Sequence, residues 1–318
     1  MFEFLWGRRR ALLVAVASAA TVLLASCSGG DEDRPPLFGT MVTFGASISD
    51  TGNVCVTLQT NCPYGPPYAS GRASNGPLWI EYVATKLGNS AKPSVTGGTN
   101  YAWGGARTGT VPGVTTPPAV PSMVAQVEEY LKKVGYVSQP ETLFVLDGVT
   151  VGNNISDALT LVQTDPTAPV KVLTAAVTDM ASMILKLYAS GARHIMVVNS
   201  TNVGRTPYVQ SLGAAAVAGA TQLSAQFNGA LAQQIAQLKA TSPGLNVYLI
   251  DAFAFTEQAV ANPAAVGLTN VTDACFSTAT TPPTTCATPG TYFYWDGFHS
   301  TTAVNSLVAD IAVKALGR

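Results

Sequence analysis

Residues 40–53 read TMVTFGASISDTGN. Thr40–Phe44 is a short apolar and β-branched run, and Gly45-Ala46-Ser47 follows it with no linker between. Such a run predicts a buried strand. In an open parallel sheet, ligands bind beyond the carboxyl ends of the strands, so a serine in this turn stands where chemistry is to be sought. Its own N–H can face the same space. Thr142–Leu146, His194–Asn199 and Asn246–Ile250 predict partner strands, and a fifth is expected within Ser94–Thr96. Helical patterns lie between and after them: Leu78–Leu87, Ser122–Val134, Val170–Ala189, roughly Ser211–Ala240, and Thr302 to Leu316. Leu223, Phe227, Leu231 and Ile235 recur at four-residue spacing, a core stripe. The alternation predicts one α/β domain around a central parallel sheet. Two segments rich in Thr, Pro and Gly, Gly109–Pro121 and Thr278–Pro289, are expected as surface loops.

A serine nucleophile needs a base within hydrogen-bond reach. The chain has only two histidines. His194 opens a predicted strand and so lies at the amino end of the sheet, away from Ser47. His299 sits in YFYWDGFHSTTAV, just before the last helix, with Asp296 three residues ahead of it. In a turn, that spacing lets the carboxylate accept a hydrogen bond from one ring nitrogen while the other faces the site.

With 47% hydrophobic residues in 318, a substantial core is expected. The net charge of −1 leaves no basic stripe to neutralise phosphates, which argues against nucleic-acid binding. Arg8, Arg9 and Arg10 precede an apolar run from Ala11 to Ala25, a targeting segment short for a membrane span. It ends in Leu24-Ala25-Ser26-Cys27, which resembles the cleavage box of bacterial lipoproteins. That resemblance implies a signal peptide over residues 1–27, lipidation of Cys27 and a polar tether over 28–37. Ser28 after the cysteine implies the outer membrane of a Gram-negative bacterium. The hydrolase domain is then 38–318, exported, lipid-anchored and monomeric. Four cysteines remain: Cys55, Cys62, Cys275 and Cys286. An even count in an exported chain reads as disulfides. Of three pairings, the short loops Cys55–Cys62 and Cys275–Cys286 are the simplest. A zinc site would call for paired CxxC spacing, which is absent.

Taken together, the chain from Thr40 onward resembles the GDSL-type lipases and esterases of the SGNH hydrolase superfamily. Their first block, Gly-Asp-Ser-Leu-Ser-Asp-Thr-Gly-Asn, stands here as Gly45-Ala46-Ser47-Ile48-Ser49-Asp50-Thr51-Gly52-Asn53. Arg72, Ser74, Asn75 and Gly76 are similar to the family's Arg-x-Ser-Asn-Gly segment, TNYAWGGART to its second block, and WDGFHST to its C-terminal region. The resemblance implies a flavodoxin-like three-layer α/β/α sandwich and a serine ester hydrolase working through an acyl-enzyme. It makes Ser47 the nucleophile and Asp296 and His299 the acid and base, with the N–H groups of Ser47 and of Gly104 or Gly105, Gly105 being preferred, in the oxyanion hole. No metal or organic cofactor is implied, and the partner is an ester substrate.

Two positions depart from the family pattern. Ala46 replaces the family's Asp before the nucleophile. In the third block the family has Gly-x-Asn-Asp, whereas this chain reads FVLDGVTVGNNISDAL. A two-residue shift taken up by a loop makes Asn153 the oxyanion amide; a gapless alignment puts Thr150 there. Asn153 is the preferred reading, because an amide suits an oxyanion. Two rival functions remain open. One is a carbohydrate-ester deacetylase of the same superfamily, with Tyr64, Tyr68, Trp79, Trp103, Phe293, Tyr294 and Trp295 offering either an acyl groove or a sugar platform. The other is a catalytically silent surface lipoprotein that binds a lipid or glycan.

Overall fold

In the computed structural model, which describes residues 38–114 and 120–317, β-branched and apolar runs build one parallel sheet. The segment 1–37, with Cys27, and part of the 109–121 loop lie outside the described residues. Strands β1 (Thr40–Phe44), β2 (Thr142–Asp147), β3 (His194–Val198) and β4 (Asn246–Ile250) pair in parallel in that order. The helices are α1 (Asn53–Leu58), α2 (Trp79–Lys86), α3 (Met123–Lys133), α4 (Val151–Leu161), α5 (Ala168–Ala189), α6 (Pro207–Ser211), α7 (Ala214–Thr241), α8 (Ala252–Ala261) and α9 (Thr302–Ala315). Four short strands, β5 (Asn270–Ala274), β6 (Phe276–Ser277), β7 (Thr284–Thr285) and β8 (Tyr292–Tyr294), form two small ribbons before α9.

The period-2 alternation of a strand sends its residues to both faces, and both faces are apolar. Val42, Phe44, Phe144, Leu146, Ile195 and Val197 join one core with side chains of α3, α4, α5 and α7. Met41, Leu143, Val145, Met196 and Val198 join the other, with α2 and α9. The result is the expected three-layer sandwich. The stripe Leu223, Phe227, Leu231 and Ile235 packs into the first core, as its spacing predicts. Each such side chain contributes about 1.5–3 kcal/mol on burial.

The fifth strand is a correction. Ser94–Thr96 forms a 3-10 turn instead. Residues 99–103 occupy the edge: Thr43 N–H donates to Thr99 O (3.1 Å), Tyr101 N–H to Thr43 O (2.8 Å) and Trp103 N–H to Gly45 O (3.0 Å). Burial makes the choice, since Val95 is 45% exposed while Asn100, Tyr101 and Ala102 are buried. The long helix expected over roughly Ser211–Ala240 is α7, and a short helix precedes it. Thr206 caps a separate α6 through Val209 N–H, Pro207 fills its first turn, and Leu212-Gly213 separates it from α7. Helix α4 has no counterpart among the helices expected from the sequence. Its Val151, Ile155 and Ala158 lie on one buried face, and it begins directly after a 3-10 turn at Gly148–Thr150.

Candidate active site

The site is assembled from loops at the carboxyl ends of the strands. Ser47 leaves β1 in a turn that is clamped from several sides. Gln126 of α3 accepts from Gly45 N–H (2.9 Å) and donates to Gly45 O (2.9 Å). Ser49 Oγ donates to Asp147 Oδ2 (2.8 Å) and accepts from Trp79 Nε1 (3.0 Å). A Cβ at position 45 would come within 2.7 Å of the Asp147 Cβ, so only glycine fits between the strand ends. These contacts hold the turn with Ala46 in place of the family's Asp. Burial pushes the Asp147 carboxyl up to about 7, against the lowering effect of the Ser49 and Val149 donors.

Asp50 ties this turn to the second-block loop. Its carboxylate accepts from Gly52, Asn53 and Val54 N–H, and across the site from Gly104 N–H at 2.8 Å. Gly104 N–H is therefore spent. Gly105, with φ +82°, turns the next peptide, and neither its N–H nor that of Ser47 has a partner among the described residues. Both residues line a cleft of about 330 Å3 together with His299. Arg107 braces the loop: it donates to Gly105 O (3.0 Å) and forks onto Asp157 at 2.8 Å through each of two nitrogens.

His299 and Asp296 sit in a tight turn between β8 and α9. Asp296 Oδ1 accepts from Phe298 and His299 N–H, each at 2.8 Å. Its Oδ2 lies 2.7 Å from His299 Nδ1, and His299 Nε2 lies 2.8 Å from Ser47 Oγ. The three-residue spacing thus gives the carboxylate both a backbone and a ring role. Burial raises the Asp296 carboxyl, but the adjacent His299 and the two turn N–H groups outweigh it and bring it down to about 2. It is ionised at neutral pH and fixes the Nδ1–H tautomer.

Several contacts of the site escape sequence reading. Tyr68 donates to Asp296 Oδ2 at 2.8 Å across 228 residues. Tyr64 lies beside Ser47, and burial pushes its phenol up, so it stays a neutral donor. Ser74 Oγ donates to Ser300 O (2.8 Å), and Asn75 Oδ1 accepts from Thr302 N–H (2.8 Å). The Arg-x-Ser-Asn-Gly segment therefore secures the histidine loop without touching the cleft. Disulfides close Cys55 to Cys62 and Cys275 to Cys286. His194 lies at the opposite end of the sheet, its Nδ1 3.0 Å from the Tyr248 hydroxyl.

The third block brings both candidate residues to the cleft. The backbone passes from β2 through one 3-10 turn into α4. Thr150 is buried, lines the cleft, and its hydroxyl has no partner among the described residues. Asn153 lines the cleft from the first turn of α4, and its Nδ2 donates to Ala106 O at 2.7 Å. Asn154 is turned away and holds Thr108 through N–H (3.2 Å) and Oγ1 (3.1 Å). Two asparagines thus pin the second-block loop, and one amide hydrogen of Asn153 remains free for the cleft.

The profile of the GDSL-like Lipase/Acylhydrolase family matches residues 41–312. A GDSL esterase/lipase of Arabidopsis thaliana is 28% identical, over 82% of this chain and 84% of that protein. The phosphatidylcholine-sterol acyltransferase of Aeromonas hydrophila is 29% identical, over 77% of this chain and 67% of that one. The thermolabile hemolysin of Vibrio parahaemolyticus is 25% identical, over 87% of this chain and 63% of that one.

Proposed function

The chain belongs to the GDSL-like lipase/acylhydrolase family and is a serine ester hydrolase, and from that premise we propose that it cleaves carboxylic esters through an acyl-enzyme on Ser47. Ser47 Oγ attacks the ester carbonyl while His299 Nε2 takes its proton. His299 then passes that proton to the alkoxy oxygen as its bond to carbon breaks. Water attacks the acyl-enzyme, with His299 again as base, and Ser47 leaves reprotonated. Asp296 holds the imidazole and stabilises the imidazolium. The N–H groups of Ser47 and Gly105, with a side chain from the turn after β2, receive the oxyanion. Such donors are each worth roughly 3–4 kcal/mol, because they strengthen as charge develops.

The observation that carries this reading is the unbroken line from Ser47 Oγ through His299 to Asp296, at 2.8 and 2.7 Å, beside two N–H groups without partners among the described residues. Ser47→Ala should abolish hydrolysis of p-nitrophenyl esters and labelling by a fluorophosphonate, with an unchanged circular-dichroism spectrum. Labelling that persists in the variant would put the nucleophile elsewhere.

The reading extends to the cell surface. A cleavable segment over 1–27, lipid on Cys27 and a tether over 28–37 would hold the hydrolase domain at the outer membrane. Two disulfides in the hydrolase unit support an exported location, since such bonds persist in oxidising compartments.

A further inference from the structure

The Asp296 carboxylate accepts four hydrogen bonds, and they differ in origin. Oδ1 accepts from Phe298 and His299 N–H of its own turn, each at 2.8 Å. Oδ2 accepts from His299 Nδ1–H at 2.7 Å and from the Tyr68 hydroxyl at 2.8 Å. A carboxylate has about four lone-pair positions, so this one is fully used. Three of the bonds stay within the turn. The fourth comes from 228 residues away and exists only because the chain is folded.

Packing fixes the hydroxyl in place. The Tyr68 ring lies edge-on to Phe276 (5.5 Å between centroids) and to Trp295 (6.2 Å), and tilts against Tyr64 (5.6 Å). Its backbone is held as well: Tyr68 N–H donates to Gly65 O (3.0 Å) and Ala69 N–H to Ser74 O (2.8 Å). Burial, and after it the Asp296 charge, push the phenol up, so at neutral pH it keeps its proton and donates. The other ionisable groups around the site are Tyr64 with the nearby Asp50, Tyr208 of α6, Tyr294 of β8, Arg205 paired with Glu257, and Arg107 paired with Asp157. Among the described residues, none of these hydrogen-bonds to the side chain of Asp296 or His299.

We propose that Tyr68 is a positioning residue for the reaction: its hydroxyl holds Asp296 Oδ2 in line with His299 and draws off part of the carboxylate's charge. The proposal rests on the ester-hydrolase reading for its consequence in turnover. A donor on Oδ2 weakens the pull of the carboxylate on an imidazolium. The resting ring therefore stays neutral to lower pH, and the neutral ring is the form that takes the Ser47 proton. Without the hydroxyl, Asp296 grips the protonated ring harder, and His299 takes up its proton at higher pH.

The test is the pH profile of kcat/KM for p-nitrophenyl acetate, with a proton NMR titration of the His299 ring beside it. Both are measured on the parent, on Tyr68→Phe and on protein carrying a ring-fluorinated tyrosine at position 68. The chain has two histidines, so His194→Gln assigns the signals. Tyr68→Phe keeps the ring and its packing and removes only the hydroxyl. The acid limb and the His299 midpoint should both move up by about half to one unit, which lowers the rate on the limb about three- to tenfold. The fluorinated phenol is a stronger donor of nearly the same size, so it should move both down. It also keeps the test decisive should Tyr68→Phe not fold. A His299 midpoint that stays put while activity falls equally at every pH would mean that Tyr68 only packs, and overturns the proposal. So does a midpoint that falls in Tyr68→Phe, or one that the fluorinated ring leaves unmoved. A parent that neither hydrolyses an ester nor takes a fluorophosphonate overturns the ester-hydrolase reading instead, and the NMR titration still decides whether Tyr68 acts on His299 through Asp296.

Discussion

Thr150 and Asn153 divide one task, and their surroundings say how. The Thr150 hydroxyl is buried beside the cleft with no partner among the described residues. A buried hydroxyl left unpaired costs about 1–3 kcal/mol, and an oxyanion would repay that cost only in the transition state. The Asn153 amide already donates to Ala106 O, one residue beyond Gly105. Thr150→Val removes the donor and keeps the shape. It should lower kcat by about 100-fold with KM nearly unchanged. Asn153→Ala frees the second-block loop, should cost about tenfold, and should act on KM as well, since misplacement weakens binding and chemistry together. Steady-state kinetics on both variants decides, and the reverse ranking would make Asn153 the donor. At this scale the sequence is partly legible. Ser47, Asp296 and His299 stand in compact patterns whose local geometry follows from spacing. Tyr68 does not, because its partner Asp296 is distant in the chain and only the fold brings them together. The third block is legible only in part, because residue type favours the amide, while the unpaired Thr150 hydroxyl and the Asn153–Ala106 bond come from the fold.

The ends of β1 and β2 meet over a buried carboxyl. Thr43 to Phe44 pairs with Val145 to Leu146, so the turn after β1 lies against Asp147, the last residue of β2. Ser49 and Val149 donate to it, yet burial dominates and holds it near 7 against an ordinary value of 3.8. Between pH 4 and 7 the folded chain therefore keeps a proton that the unfolded chain has released. Folding stability must fall as pH rises through that window, by at most on the order of 4 kcal/mol. Asp147→Asn should remove this slope and raise the melting temperature at pH 7 more than at pH 4. Thermal unfolding across pH 4 to 8 measures it, and parallel curves for the two proteins would contradict the assignment. The strands that meet here are legible as β-branched runs bounded by turns. The edge segment at 99–103 is not, because Asn100 within it reads as a turn residue. Its amide instead bonds Ser49 O (2.7 Å) and Thr51 Oγ1 (3.1 Å), a tertiary use no local pattern announces.

At the scale of the whole chain, one hydrolase unit carries its own covalent braces. Cys55–Cys62 closes the segment leading to Tyr64 and Tyr68, and Cys275–Cys286 closes the segment leading to Asp296. Closing short loops restrains the unfolded chain, by about 2–4 kcal/mol each in the loop-entropy account, and suits an oxidising compartment. With those four residues paired to one another, Cys27 is the odd cysteine of the sequence, and it stands at the end of the apolar segment. An acyl anchor there would put the catalytic unit on a membrane without engaging it in the bilayer. A single acyl chain holds only weakly, so stable retention requires more than one chain on the cysteine. Cys27→Ser should abolish incorporation of a palmitate analogue and move the protein from the membrane to the soluble fraction. Its kcat toward a soluble p-nitrophenyl ester should stay within about twofold of the parent, because residue 27 precedes the hydrolase unit in the chain. Equal labelling of both proteins would remove Cys27 from the account, and a loss of kcat with labelling intact would mean that the leader contributes to the fold instead of to its location.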